Sequence, residues 1–190
     1  MDYGKEKLNE YISKFVRLKD EQLDLAYSYF KLEEYTKGQS LIQPGDTVET
    51  EYFVVDGCLK TFFINDDLKM YILQFAMPTW WASDYTALYS DKIATVSVDC
   101  ITDTRVLAIT NAAREKLCSE IQAVESFFRW RTNKGFVAMQ KRLVAVLSSN
   151  VQQRYDELLR QYPELYNLVP KHLIAAYLGV SRETLSRLHS

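Results

Sequence analysis

Hydrophobic residues in the first 30 positions recur at helical intervals: Leu8, Ile12, Phe15 and Val16, then Leu23, Leu25, Ala26 and Phe30 after the start signal Lys19-Asp20-Glu21. From Leu32 to Ile109 the texture changes to short apolar or alternating runs: LEEYTK, SLIQ, EYFVVDG, CLKTFFI, MYILQFA, TVSVDCI and TRVLAI. Lys37-Gly38-Gln39, Pro44-Gly45-Asp46, Asp56-Gly57, Asn65-Asp66-Asp67 and Met77-Pro78 divide them. Runs at this spacing predict an antiparallel sandwich or roll rather than a parallel sheet with crossover helices.

After Asn111 the period becomes helical again. Leu117, Ile121, Val124, Phe128, Arg131, Gly135, Ala138 and Arg142 recur at steps of four and three, which is a heptad seam in part. A second stripe, Phe127, Trp130, Val137 and Val144, lies beside it. A helix apolar on two sides predicts one face packed on the roll and the other on a second copy of the chain, and Leu117, Ile121, Val124 and Phe128 are assigned to that dimer interface. Ser148-Ser149-Asn150 breaks the pattern and is a candidate hinge. VQQRYDELLRQYPEL then predicts a helix ending near Tyr162-Pro163, because a proline disfavours helical geometry in the residue before it.

The stretch from Lys171 to Ser190, KHLIAAYLGVSRETLSRLHS, reads as two short helices folded across a glycine turn. Ile174, Ala175 and Leu178 form one face of the first helix, and Val180, Leu185 and Leu188 supply the apolar contacts of the turn and second helix. Gly179 can take the positive φ that ends the first helix, and Ser181 is a candidate N-cap of the second. Arg182, Glu183, Ser186 and Arg187 are left pointing outward. Arg can grip guanine bidentately, Glu can accept from the cytosine amino group, and Ser suits base or backbone, so Ser181, Arg182, Glu183, Ser186 and Arg187 are the candidate DNA-binding residues.

Charge supports that reading through its distribution rather than its sum. The net charge is only −2, but residues 1–110 hold 11 Lys or Arg against 18 Asp or Glu, and residues 111–190 hold 12 against 7. With 47% hydrophobic residues the 190-residue chain can bury a substantial core. The absence of an 18-residue apolar run and the polar start MDYGKEKLNEY predict neither a membrane span nor a secretory signal. Cys58, Cys100 and Cys118, odd in number and without CxxC spacing, fit a reducing cytoplasm, with ordinary packing as their role.

The string Ser181-Arg182-Glu183-Thr184-Leu185-Ser186-Arg187 resembles the recognition helix of the Crp/Fnr family of bacterial transcription regulators. The stretch from Pro44 through Gly57 to Ile64 resembles the family's roll more weakly. The resemblance implies an α+β chain: an N-terminal antiparallel β-roll (a double-stranded β-helix like cyclic-nucleotide-binding domains) with flanking helices over residues 1–110, a long dimerisation helix over 111–148, and an all-α helix-turn-helix over 149–190. It further implies a cytoplasmic homodimer on a near-palindromic duplex, with RNA polymerase and a small-molecule effector as candidate partners. Tyr162 to Val169 is too short and too poor in β-formers for the β-hairpin wing that many members carry.

Nucleotide-binding members hold the phosphate with a Gly-Glu helix and a downstream Arg. Here Ala82-Ser83-Asp84 and Ala94-Thr95 stand at those places, and Lys92 cannot reproduce the guanidinium fork, so no tight binding of cyclic AMP or cyclic GMP is expected. Phe62, Tyr71, Trp80, Trp81, Ser83, Tyr85 and Thr95 remain as a candidate pocket for another effector, with plain core packing as the competing reading. Oxygen sensing of the Fnr type would need N-terminal cysteines, and none precedes Cys58. Haem has no ligand in the roll, since the histidines are His172 and His189, and a cupin-like metal enzyme fails for the same reason. No nucleophile elbow or phosphate-cradling loop is present, so neither catalysis, a cofactor nor a metal is expected. The alternative function is an effector-binding module whose C-terminal helices dock a protein.

Overall fold

The computed structural model describes residues 3–90 and 92–187. Its contacts divide the chain into two compact units, Met1–Thr61 with Phe75–Asn133, and Phe62–Gln74 with Lys134–Ser190. The divisions fall at neither 110/111 nor 148/149. A segment of the sheet region groups with the C-terminal helices.

In the first unit, α1 (Tyr3–Ile12) and α2 (Asp20–Ser28) precede the strands. One antiparallel sheet has the order β1 (Lys31–Tyr35), β8 (Thr104–Thr110), β3 (Thr50–Asp56), β6 (Trp81–Ala82). The other runs β2 (Ser40–Ile42), β7 (Ser97–Cys100), β4 (Leu59–Ile64), β5 (Met70–Ala76). Tyr52-Phe53-Val54-Val55 is continuously apolar where a half-solvated strand would alternate, because β3 is covered on both faces. Tyr52 and Val54 meet Ile42, Leu59, Val98, Val106 and Ala108 between the sheets. Phe53 and Val55 face the opposite way, into a cluster with Leu107, Ile109 and the helical residues Leu8, Ile12, Leu117 and Phe127. The β3–β4 turn needs Gly57: its φ is +90°, and a Cβ there would stand 2.3 Å from the Asp103 carbonyl oxygen.

The helical region after the roll is two helices, not one. Helix α4 (Asn111–Glu120) starts at Thr110, whose Oγ1 accepts from the Ala113 N–H at 3.1 Å, and stops at Ile121, which is extended with φ −131°. Helix α5 (Gln122–Ser148) follows for 27 residues. Its proximal part buries Val124, Phe127 and Phe128 in the first unit. Arg131 there donates from Nη1 to Glu51 Oε2 at 2.7 Å, while Arg114 of α4 lies 3.5 Å from the other carboxylate oxygen. Glu51 is only 1% exposed, and the Arg131 guanidinium that meets its carboxylate also lies 4.3 Å from the Trp81 ring centroid.

In the second unit, residues 62–74 form the tip of the β4–β5 hairpin, where the Phe63 and Tyr71 rings stack at 5.2 Å. Helix α6 (Val151–Gln161) begins with Asn150 and Gln153 capping each other's backbone N–H groups and ends before Tyr162. The expected break at Ser148 to Asn150 and the end near Pro163 are both present. A single helical turn, α7 (Leu165–Leu168), occupies the place of a wing, and among the described residues no strand follows Thr110.

Candidate nucleic-acid interface

Helix α8 (Lys171–Leu178) and helix α9 (Arg182–Arg187) pack on Leu173, Ile174, Ala175, Leu178 and Leu185, all buried. The turn between them is a helix-terminating αL motif. Gly179 has φ 75°, its N–H and that of Val180 both return to the Ala175 carbonyl, and a side chain in that conformation would be strained. Ser181 caps α9 by accepting from the Thr184 N–H at 3.1 Å. Leu188 and His189 lie outside the described residues.

Arg182, Glu183, Ser186 and Arg187 are all exposed on α9. The Glu183 carboxyl is held below its ordinary pKa, first by its own backbone N–H, then by the Ser181 hydroxyl and the two arginines, and so stays a hydrogen-bond acceptor through the neutral range. One residue absent from the sequence assignment joins them. A hollow of about 180 Å³ is lined by Lys171, Arg182, Leu185 and Ser186. Its lining includes two cationic residues and a hydroxyl-bearing one, residue types suited to a phosphate group, and the Lys171 ammonium lies 5.6 Å from the Tyr166 ring centroid. The signal in the sequence was the place of Lys171 at the helix start.

The residues assigned to the dimer interface are elsewhere. Leu117, Ile121, Val124 and Phe128 are 0%, 4%, 1% and 6% exposed and belong to the core of the first unit, so they cannot also form a free surface. The second stripe carries the exposed positions: every residue from Thr132 to Lys141 is exposed, and Trp130, Phe136, Val137, Leu143, Val144 and Leu147 are large apolar groups facing water. Phe127, counted with that stripe, is fully buried. Arg131 and Arg142, which interrupt the seam, both turn toward partners in their own chain.

The proposed effector pocket is also corrected. Trp80 packs against the cluster between the sheets, whereas Trp81 turns away from it, with Phe53 at 5.3 Å and Phe128 at 5.8 Å between ring centroids. Neighbours in sequence, they serve different cores. The Ser83 hydroxyl is spent on the Thr50 carbonyl, Tyr85 stacks on Tyr89, Thr95 is exposed, and Phe62 and Tyr71 belong to the hairpin. A hollow of about 70 Å³ among the described residues is lined by positions between Leu41 and Tyr52 and by none of the seven.

In the two segments that stand in the places of the family's phosphate cassette, Ala82-Ser83-Asp84 and Ala94-Thr95, Asp84 is 3% exposed. Its Oδ1 accepts from the N–H groups of Thr86 and Ala87, which open α3 (Tyr85–Tyr89), and its Oδ2 accepts from those of Thr95 and Val96. The chain thus places its own carboxylate on the backbone donors of both cassette segments. Burial alone would raise this carboxyl's pKa, but the four N–H groups outweigh it and hold it below the ordinary aspartate value. A depressed folded-state pKa gives stability that is present above about pH 4, the unfolded value, and lost as pH falls through the folded one. Asp84→Asn is expected to cost about 2–3 kcal/mol at pH 7 in urea unfolding and to flatten the loss of stability between about pH 5 and pH 2. An unchanged pH profile would remove Asp84 from this role.

Residues 32–120 match the family model of the cyclic nucleotide-binding domain. No curated protein matches the chain. Among solved structures, the c-di-GMP responsive global regulator CLP of Xanthomonas campestris superposes with TM-score 0.69 at 14% identity, over 90% of this chain and 89% of that one. The catabolite activator protein of Thermus thermophilus gives 0.54 at 24% identity, over 90% and 82%. A crp/fnr-family protein of Eubacterium rectale gives 0.67 at 14%, over 90% and 82%. The chain therefore carries a cyclic nucleotide-binding type of roll followed by C-terminal helices, the fold of the Crp/Fnr regulators.

Proposed function

We propose that the protein is a sequence-specific DNA-binding transcription regulator that acts as a homodimer and does not respond to cyclic AMP. The observation that carries this reading is the α8–α9 pair: a glycine-terminated first helix, a serine-capped second, buried contacts on one side, and Arg182, Glu183, Ser186 and Arg187 exposed together on the other. Such a pair suits a major groove, with α9 toward base edges and Lys171 toward phosphate.

Dimerisation is supported by the distal part of α5. Trp130, Val137 and Val144 recur every seven residues, with Leu147 three beyond, in a helix exposed all round from Thr132 to Lys141. Insensitivity to cyclic AMP is supported by Asp84, which already engages backbone donors of the cassette, and by the lack of an arginine at Ala94.

Two outcomes are expected. In titrations of labelled duplex against the full chain, Arg182→Ala or Arg187→Ala costs about 1–3 kcal/mol on the selected site and relaxes preference at one base position. Lys171→Ala weakens all sequences alike and lowers the salt slope by about 1. A salt-independent interaction, or none, would favour docking to a protein instead. In light scattering, the wild type gives twice the 22.2 kDa chain mass and Val137→Glu with Val144→Glu gives the single-chain mass. A dimer that survives this pair would place the interface elsewhere.

A further inference from the structure

The last carbonyl groups of a helix lack partners within the helix, and cations are favoured there. At the end of α8, two arginines from outside the helix supply donors. Arg154 of α6 donates from Nη2 to the Leu178 carbonyl at 3.1 Å and from Nη1 to the Ser149 carbonyl at 2.7 Å, which fastens α8 to the start of α6. Arg142 of α5 donates from Nη2 to the Tyr177 carbonyl at 3.2 Å, and its guanidinium lies 3.8 Å from the Tyr177 ring centroid. The same nitrogen donates to the Ile72 carbonyl at 2.8 Å. Ile72 lies on β5, the edge strand of its sheet, where backbone groups have no further strand to pair with.

One side chain therefore joins a strand of the roll's hairpin, the distal part of α5 and the first helix of the α8–α9 pair. A second observation agrees: hairpin residues 62–74 cluster with Lys134–Ser190 rather than with the rest of the sheets. Arginine suits the place because its planar head lies over the Tyr177 ring while the two hydrogens of one nitrogen reach two carbonyls; an ammonium has donors enough for both carbonyls but no plane to stack. Its partners are neutral, so no opposing charge fixes it in place.

We propose that Arg142 is a positioning residue that couples the β4–β5 hairpin to the α8–α9 pair, so that the two open, close and respond to ligands together. For DNA this rests on the function proposed above: occupancy of α9 is transmitted to β5, and a change imposed on the hairpin alters duplex affinity.

Amide hydrogen exchange on the full chain tests it. Without DNA, Arg142→Ala accelerates exchange roughly tenfold in both Met70–Ala76 and Lys171–Leu178 while α4 and β8 keep wild-type rates. With duplex added, the wild type shows slowed exchange in β5, and Arg142→Ala binds duplex without that slowing. Acceleration in only one of the two segments, or uniform acceleration of the whole chain, would overturn the coupling. Should Arg142→Ala fail to fold, Arg142→Met carries the same comparison, since it keeps much of the apolar stem and loses both donors to the carbonyls. A wild type that binds no duplex would refute the DNA reading and leave the first comparison to decide the coupling.

Discussion

A helix with large apolar side chains around an exposed circumference is the constraint on which the functional account depends. Phe136 is 70% exposed and Leu147 77% exposed, and every residue from Thr132 to Lys141 is exposed. Apolar surface in that arrangement is costly in water and is relieved by pairing along a seven-residue repeat. Pairing also brings two α8–α9 units into one particle, which a modestly basic C-terminal portion needs for useful affinity on a duplex. The proposed dimer face and the proposed DNA reading therefore stand together.

Buried charge is handled differently in the two units. In the first, Glu51 is enclosed by Arg131 and Arg114, with aromatic rings of Trp81 and Phe128 against the guanidinium of Arg131. Removing one partner would leave an uncompensated charge in a nearly dry site, so this cluster fixes the register of α5 on β3. Asp84 follows the same logic with backbone donors in place of arginine. In the second unit, Arg142 and Arg154 satisfy carbonyl groups instead, an arrangement with weaker constraint and more scope for rearrangement.

The α8–α9 pair was legible in the sequence because each of its joints has a residue with a local reason to be there: Gly179 for the left-handed turn, Ser181 for the cap, and Leu178 and Leu185 for the contact. The strands were legible as runs between turns, even though continuous burial of β3 on both faces hid its alternation. The assignment of α5's faces was not legible. Both stripes are apolar, and periodicity cannot say which one meets the roll. Arg131 and Arg142 looked like flaws in a dimer seam because their partners, Glu51 and Ile72, are 80 and 70 positions away in the chain. Ile121 reads as one more heptad residue, and its extended backbone, which splits the helix, left no local mark. The effector-pocket assignment breaks at Trp80 and Trp81, which are adjacent in the chain but pack into different clusters, and nothing local in the sequence separates them.

The most direct test of two α9 helices reading one duplex is the dependence of affinity on half-site spacing. Two half-sites about one helical turn apart, near 34 Å, should bind one dimer tightly, and inserting about five base pairs between them should reduce affinity to the non-specific level by rotating one half-site to the far side of the helix. Affinity that is indifferent to the insertion would contradict the account.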